Sequence, residues 1–415
     1  MKVALVHDYF FQAGGAERVM EVLHEMFPEA PIFTTVLRRE TLWPRLRDAD
    51  FRTSFLQPLA SVGVPGRAML PLYPHAMEGH DLTEFDLVIS NSSAFAKGVI
   101  VREGALHICY CHSPMRFAWS EDAYTRRERF NPVTRLALRP ILSYMRRWDL
   151  RTRHRAQVYF GNSSAVVRRI RATYGLSSEV MHPPVDVSRC HMAATRDDFY
   201  LVVSRLSTYK RIDLAVEAFN QLGKRLVVIG DGPHARSLAA LAKPNVTLLG
   251  RLPDAEVANY YAAARGFILP GEEDFGITPL EANASGAPVI AFAAGGALDT
   301  VIAGETGVLF REPTAEGLAA AVLAADRLSW DAGRLRAHAE TFGEPAFRIR
   351  MYDAIDRAVI GFQGCAPLQQ MASDPRAFDG TRVRRGTHLT RAGGAGTTGG
   401  RVAGAFGESG ERQPA

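Results

Sequence analysis

The 415-residue chain is 47% hydrophobic and 22% charged with a modest formal net charge of +5, the composition of a soluble globular protein rather than a disordered or collagen-like one. Its length suggests two domains, each able to bury a core. Four cysteines are too few for a disulfide framework in a chain of this size, and no apolar run reaches the roughly 18 residues of a membrane span, so a cytosolic protein is expected.

The chain opens on "MKVALVHDYF", a strand rather than a signal peptide. Apolar runs then alternate with helical patterns: "PIFTTV", "DLVISNS", "LHICYCH" and "AQVYFGNS". This is the pattern of β-α-β units and a parallel sheet. In such sheets ligands gather at the carboxyl ends of the strands, so the residues following each run are the ones to weigh. After the first strand, Gly14 and Gly15 precede an amphipathic helix carrying Val19, Val22, Leu23 and Met26. Amides there can receive a diphosphate, although an ordinary loop pair of glycines reads the same way. The lack of a Gly-x-Gly-x-x-Gly after this strand argues against a nicotinamide or flavin dehydrogenase. The only Asp-x-Asp, Asp48-Ala49-Asp50, lies in a charged segment and reads as surface.

Cys109 and Cys111 flank Tyr110 and share one face of a strand. With no second cysteine pair they read as small buried hydrophobes rather than metal ligands. His112 follows in "HSPMRFAW" and can donate into a cleft, with Arg116 and Trp119 on the same wall, or it can be satisfied by backbone. Arginines crowd the segment from Arg116 to Arg171. The stretch "RLALRPILSYMRRWDLRTRHR" fits a membrane-surface patch or a helix with one buried and one solvated basic side. No nucleic-acid motif accompanies the charge, so nucleic acid is not expected as a partner.

His182-Pro183-Pro184 resists regular helix, and the pattern restarts after it with "FYLVVSRL", "RLVVIGDGP", "NVTLLGRL", "GFILPGEE" and "APVIAFAAGG". Two doubly wound α/β domains joined near residues 182–198 fit best. Arg205 and Lys210 precede the helix of "IDLAVEAFNQL". Two cations at a helix N-terminus oppose its dipole, a conflict that a bound anion would relieve. Gly230 and Gly232 mark a close approach or a turn. The stretch "PGEEDFGITPLEANASG" gathers Glu272, Glu273, Asp274 and Glu281 at one strand end. Thr278-Pro279-Leu280-Glu281 reads as a capping box, and carboxylates there also accept from sugar hydroxyls without any metal. Gly295-Gly296 precedes a further helix and can present amides to a sugar or phosphate, or form a simple turn. From about Gly361 the chain turns glycine-rich with few large apolar residues, which predicts a disordered tail over 361–415.

The ordered set "GGAER", "HSPMR", "SRLSTYKRID", "EDFGITPLEANASGAPVIAFAAGGALDTV" and "GETGVLF" resembles the family 4 glycosyltransferases of the GT-B fold over residues 1–360. "HICYCHSPMRFAW" and "GEEDFGITPLEA" are similar to bacterial GDP-mannose-dependent mannosyltransferases of surface polysaccharide synthesis. The resemblance implies two Rossmann-like domains facing a cleft, an acceptor-side domain over 1–182 and a nucleotide-sugar domain over 183–345. A helix over 346–360 would cross back to the first domain. It also implies a nucleotide-sugar donor, retention of configuration and independence of metal. Gly14 and Gly15 would face the donor diphosphate, and Arg205 and Lys210 would bind it as it leaves. His112 and Glu273, with amides of Phe275, Gly276 and Ile277, would meet the donor sugar, and Glu281 the ribose. A polyprenyl-diphosphate-linked glycan would be the acceptor, met at the cytoplasmic membrane face. Use of a UDP-sugar and epimerisation of a sugar nucleotide stay open as alternatives.

Overall fold

The computed structural model describes residues 1–11, 14–119 and 132–362, without the side chains of 132–137. The predicted tail, but for its first two residues, and the "RRERF" run lie outside that range. Two parallel sheets carry the fold. The first has the order β3-β2-β1-β4-β5-β6-β7, built from β1 (Val3–His7), β2 (Ile32–Thr34), β3 (Phe51–Thr53), β4 (Leu87–Ser92), β5 (Leu106–Cys111), β6 (Val158–Gly161) and β7 (Glu179–Val180). The second has the order β10-β9-β8-β11-β12-β13, built from β8 (Tyr200–Val203), β9 (Leu226–Ile229), β10 (Val246–Gly250), β11 (Gly266–Leu269), β12 (Val289–Phe292) and β13 (Gly307–Phe310). These are two doubly wound Rossmann-like halves, the GT-B arrangement.

Unbroken apolar runs form the central strands because both faces of each sheet are covered. In β1, Leu5 packs into one core cluster, while Ala4 and Val6 pack into another on the opposite face. The edge strands β3 and β7 escaped the sequence pattern: "FRT" and "EV" are short and largely exposed, so neither carries an apolar run. β13, lying in "GETGVLF", pairs with β12 from Val289↔Gly307 to Phe292↔Phe310.

The last helix runs Glu344–Gly361, two residues ahead of the predicted start. It buries Phe347, Met351, Ile355 and Val359 in the first domain's core beside Leu5, Val19 and Leu23. Tyr352 hydroxyl donates to the carbonyl of Met26 at 3.0 Å. The helix therefore packs on the first domain although it follows the second in sequence. At the junction, Val185 N–H donates to the carbonyl of Phe342 at 3.0 Å.

Cys109 and Cys111 are buried among Tyr159, Val166 and Ile170, as small apolar residues. Asp48 and Asp50 are exposed, with Asp50 paired to Arg52. The helix Pro132–Arg151 buries Leu142, Met145 and Trp148 and leaves Arg139, Arg147 and Arg151 exposed. That is the amphipathic pattern with a solvated basic side. Among the described residues no helix is long and apolar enough to cross a membrane.

Candidate functional site

The loops that follow β1, β8, β9, β10 and β11 enclose a cleft of about 960 Å³ between the two sheets. Gly14, Gly15, Arg205, Gly230, Gly232, Ile277 and Glu281 line it, joined by Arg18, Trp43 and Tyr261. The first two glycines lie where the sequence places them: Gly14 is the N-cap of the helix Gly15–Met26. Its amide is already engaged, since Gly14 N–H donates to Glu17 Oε2 at 3.0 Å. A Cβ on Gly15 would stand 3.2 Å from Ile277 Cδ1, so the two domains touch at this point.

Arg205 is exposed on the cleft wall, and among the described residues its guanidinium pairs with nothing. Lys210 differs. Its ammonium forms a salt bridge with Glu273, and both side chains are mostly buried. Burial works against the Lys210 charge, but Glu273 and Tyr209 outweigh it and hold the pKa above its ordinary value. A carboxylate, not an external anion, thus relieves the crowding of cations ahead of the helix Ile212–Leu222. The neighbouring Arg211 is the only non-glycine residue with positive φ among those described, at 53°. A residue held in this costly region beside Lys210 marks a loop whose shape the surrounding structure dictates.

Glu281 faces the cleft from the helix Ile277–Ala284, but not as a capping residue. The helix starts two residues earlier than the predicted Thr278 cap allows: Gly276, at φ +86°, is the N-cap and Pro279 sits at the third position. Glycine takes that conformation without a Cβ penalty, which shifts the start and removes the capping box. Glu281 instead accepts from the Tyr261 hydroxyl at 3.0 Å. Burial raises its carboxyl pKa, with the Tyr261 bond pulling the other way.

His112, following β5, does not stand alone. Its Nε2 lies 2.6 Å from Asn91 Oδ1, and Asn91 Nδ2 donates to the carbonyl of Ala16 at 2.7 Å. His7 Nδ1 reaches the carbonyl of Asn91 at 3.1 Å, and His7 Nε2 lies 3.7 Å from Glu17. Burial pushes the His112 pKa down to about 3, so the ring is neutral and donates its Nε2 proton to Asn91. The His7 pKa moves up: burial opposes it, but Glu17 and Asp8 together prevail. This chain ties His112 to the helix N-terminus at Gly14, and the sequence reading missed Asn91, His7 and Glu17 entirely. Asp8 was missed as well, accepting from the amides of Ser93, Ala94 and Phe95 at 2.6, 2.9 and 2.7 Å and so fixing the turn after β4.

The Phe275 side chain is buried, with its ring 5.5 Å from His182, so only its backbone amide is left for a ligand. Two readings need correction. Trp119 is turned away from the cleft, donating its indole N–H to buried Asp149 at 2.6 Å. Gly296 offers no free amide, because its N–H donates to the carbonyl of Glu273 at 2.9 Å. Arg116 does face the second domain, 3.1 Å from Asp274.

Residues 13–189 match the description Glycosyltransferase Family 4, and residues 190–334 match Glycosyl transferases group 1. The chain belongs to the family 4 glycosyltransferases. A glycogen synthase of Pseudomonas aeruginosa is 37% identical over 135 residues, 30% of this chain and 26% of that protein. A GDP-mannose-dependent alpha-(1-6)-phosphatidylinositol monomannoside mannosyltransferase of Mycolicibacterium smegmatis is 29% identical over 218 residues, 46% of this chain and 56% of that protein. The matched stretches thus span between about a quarter and just over half of these relatives. Among solved structures, Anabaena HepE in complex with UDP and glucose superposes with a TM-score of 0.62 at 16% identity, covering 86% of this chain and 99% of HepE. At that identity the likeness establishes the fold of this family 4 glycosyltransferase.

Proposed function

We propose that this glycosyltransferase moves a hexose, mannose from GDP-mannose, onto a lipid-linked oligosaccharide or other glycan at the cytoplasmic membrane face, in surface polysaccharide synthesis. The observation that carries the transferase reading is the unpaired Arg205 on the wall of a cleft that Glu281 also lines. A diphosphate against Arg205 places its nucleoside toward Glu281, which accepts from the ribose hydroxyls. When the bond to the sugar breaks, negative charge develops on the departing phosphate, and the fixed cations Arg205 and Lys210 stabilise it. Glu273 accepts from the sugar hydroxyls, and neutral His112 contacts the same sugar. The reaction retains configuration and needs no metal in this reading. The pairing of Glu272 with Arg169, Glu273 with Lys210 and Asp274 with Arg169 supports it, since these carboxylates already have cationic partners.

The name of the Mycolicibacterium smegmatis relative favours GDP-mannose. The HepE complex holds UDP and glucose, which supports a UDP-sugar donor as the second reading. Labelled nucleotide sugars offered with and without EDTA and a polyprenyl-diphosphate acceptor separate them. Mannosyl transfer from GDP-mannose in EDTA is expected. Transfer from UDP-sugars alone would refute the mannose assignment, loss of activity in EDTA would refute metal independence, and isomerised donor without acceptor would point to an epimerase.

A further inference from the structure

Of the three acidic side chains in the loop after β11, one turns toward Lys210 and two cross to the first domain. Arg169 Nη1, on the helix Ser164–Tyr174, donates to Asp274 Oδ1 at 2.6 Å and to Ser113 Oγ at 2.9 Å. Arg116 Nη1 lies 3.1 Å from the other Asp274 oxygen, and Arg169 Nη2 lies 3.7 Å from Glu272. The same helix is held a second time at its N-terminus. Asp299 accepts from the amide of Ser164 at 2.6 Å and from the Ser164 hydroxyl, with His182 Nε2 at 3.4 Å. The two gripping loops are themselves joined, because Gly296 N–H donates to the carbonyl of Glu273 at 2.9 Å.

Charge-assisted hydrogen bonds of this length are the strong kind, and a guanidinium that meets two acceptors at once fixes direction as well as distance. Asp274 and Asp299 keep 18% and 11% of their side-chain surface, so water screens these contacts little. The Asp299 carboxyl is held below its ordinary pKa: burial opposes this, but the His182 and Ser164 bonds exceed it. The sequence neighbours are what give the arrangement meaning. Asp274 adjoins Glu273, and Ser113 adjoins His112, so one Arg169 side chain ties the backbone beside one candidate sugar-contacting residue to the backbone beside the other.

We propose that Asp274 is a positioning residue, which through Arg169 and Arg116 holds Glu273 in register with His112 across the junction of the two domains, while Asp299 anchors the same helix. It acts on Glu273 and touches no substrate. The inference rests on the proposed transferase reading for its kinetic consequence but not for its structural one. Arg205 and Glu281 stand outside this grip, so nucleotide binding is separable from it.

The test uses the full chain and the variants Asp274→Asn, Arg169→Gln and their double. Asp274→Asn is expected to keep the calorimetric Kd for GDP and UDP within about twofold while kcat for transfer falls about 10²-fold, the cost of a small misplacement at the reacting centre. The double variant should lose less than the two single losses combined, since both variants remove the shared Arg169–Asp274 contact. Amide exchange in the peptide spanning residues 271–277 should quicken by about tenfold or more in Asp274→Asn. Additive losses, an unchanged kcat, or a nucleotide Kd that worsens in step with kcat would overturn the proposal. If the wild type transfers from no nucleotide sugar, the transferase reading fails on its own. Exchange then decides the positioning role: quickening supports it, and identical exchange in wild type and Asp274→Asn refutes it.

Discussion

Lys210 and Glu273 hold each other in a mostly buried salt bridge between the loops after β8 and β11. One residue is assigned to the departing phosphate and the other to the sugar, so the ligand-free site is neutralised internally. Removing either partner strands the other charge in a poorly hydrated place. Lys210→Ala is therefore expected to lose stability as well as about 10²–10³-fold in turnover, the scale of a lost transition-state donor. Adding Glu273→Ala should recover most of the thermal stability and none of the turnover. Melting temperatures and kcat of the two variants check this; recovered turnover in the double variant would deny Lys210 its role.

Glu281 is raised in pKa by burial, and among the described residues the Tyr261 hydroxyl is the one side chain hydrogen-bonded to its carboxylate. A folded-state pKa above the unfolded value means that the folded protein binds the proton more tightly, so the ionised group costs stability above the ordinary carboxylate range. That cost falls away as pH drops through the folded value. Glu281→Gln should accordingly raise the melting temperature of the ligand-free protein at neutral pH while weakening nucleoside diphosphate binding about tenfold or more, the worth of a hydrogen bond to a charged group. Calorimetry and thermal melts across pH measure both. A lowered melting temperature at neutral pH with unchanged affinity would leave Glu281 as a purely structural residue.

His7 provides the opposite sign. Its folded pKa is raised because Glu17 and Asp8 prevail over burial, so its contribution is fully present below the ordinary histidine value of 6.5 and is lost as pH rises through the folded value. The stability difference between wild type and Glu17→Gln should be largest below the ordinary histidine value and shrink as pH rises through the folded one, as read by urea denaturation. A difference that grows with pH would contradict the assignment. His112, with its pKa pushed down to about 3, should contribute no acid limb to the activity profile above about pH 5.

The architecture was legible because central parallel strands buried on both faces write continuous apolar runs, and because strand ends are where ligands collect. Gly14, Arg205 and Glu281 could be placed on the cleft from that rule alone. The capping box failed because a glycine two residues upstream takes positive φ and starts the helix early, a backbone event that side-chain propensity does not register. Asn91, His7 and Arg169 were missed, and Asp274 was named only within a carboxylate cluster, for another reason: contacts such as His7 to Asn91 and Arg169 to Asp274 join residues 84 and 105 positions apart, and no local motif encodes those. Trp119 was misplaced because a short helix after His112 turns its indole onto Asp149 instead of along the cleft wall.

Gly296 packs so tightly on the loop after β11 that a Cβ there would lie 2.3 Å from backbone atoms of Phe275. Backbone cannot step aside as a flexible side chain can. Gly296→Ala should cost about 1–3 kcal/mol, the range for overpacking, and shift Glu273 because the Gly296 amide holds its carbonyl. Denaturant midpoints and turnover test it. Turnover at the wild-type level would show that the Glu273 loop does not depend on this contact.

Arg205 stands on the cleft wall as a cation with no partner among the described residues. Calorimetric titration of GDP and UDP into wild type and Arg205→Ala, in EDTA, reads its role directly. The account predicts that the wild type binds at least one of the two without metal and that Arg205→Ala weakens that binding about tenfold or more with an unchanged melting temperature. Equal affinity in the two proteins, or no binding of either nucleotide by the wild type, would contradict it.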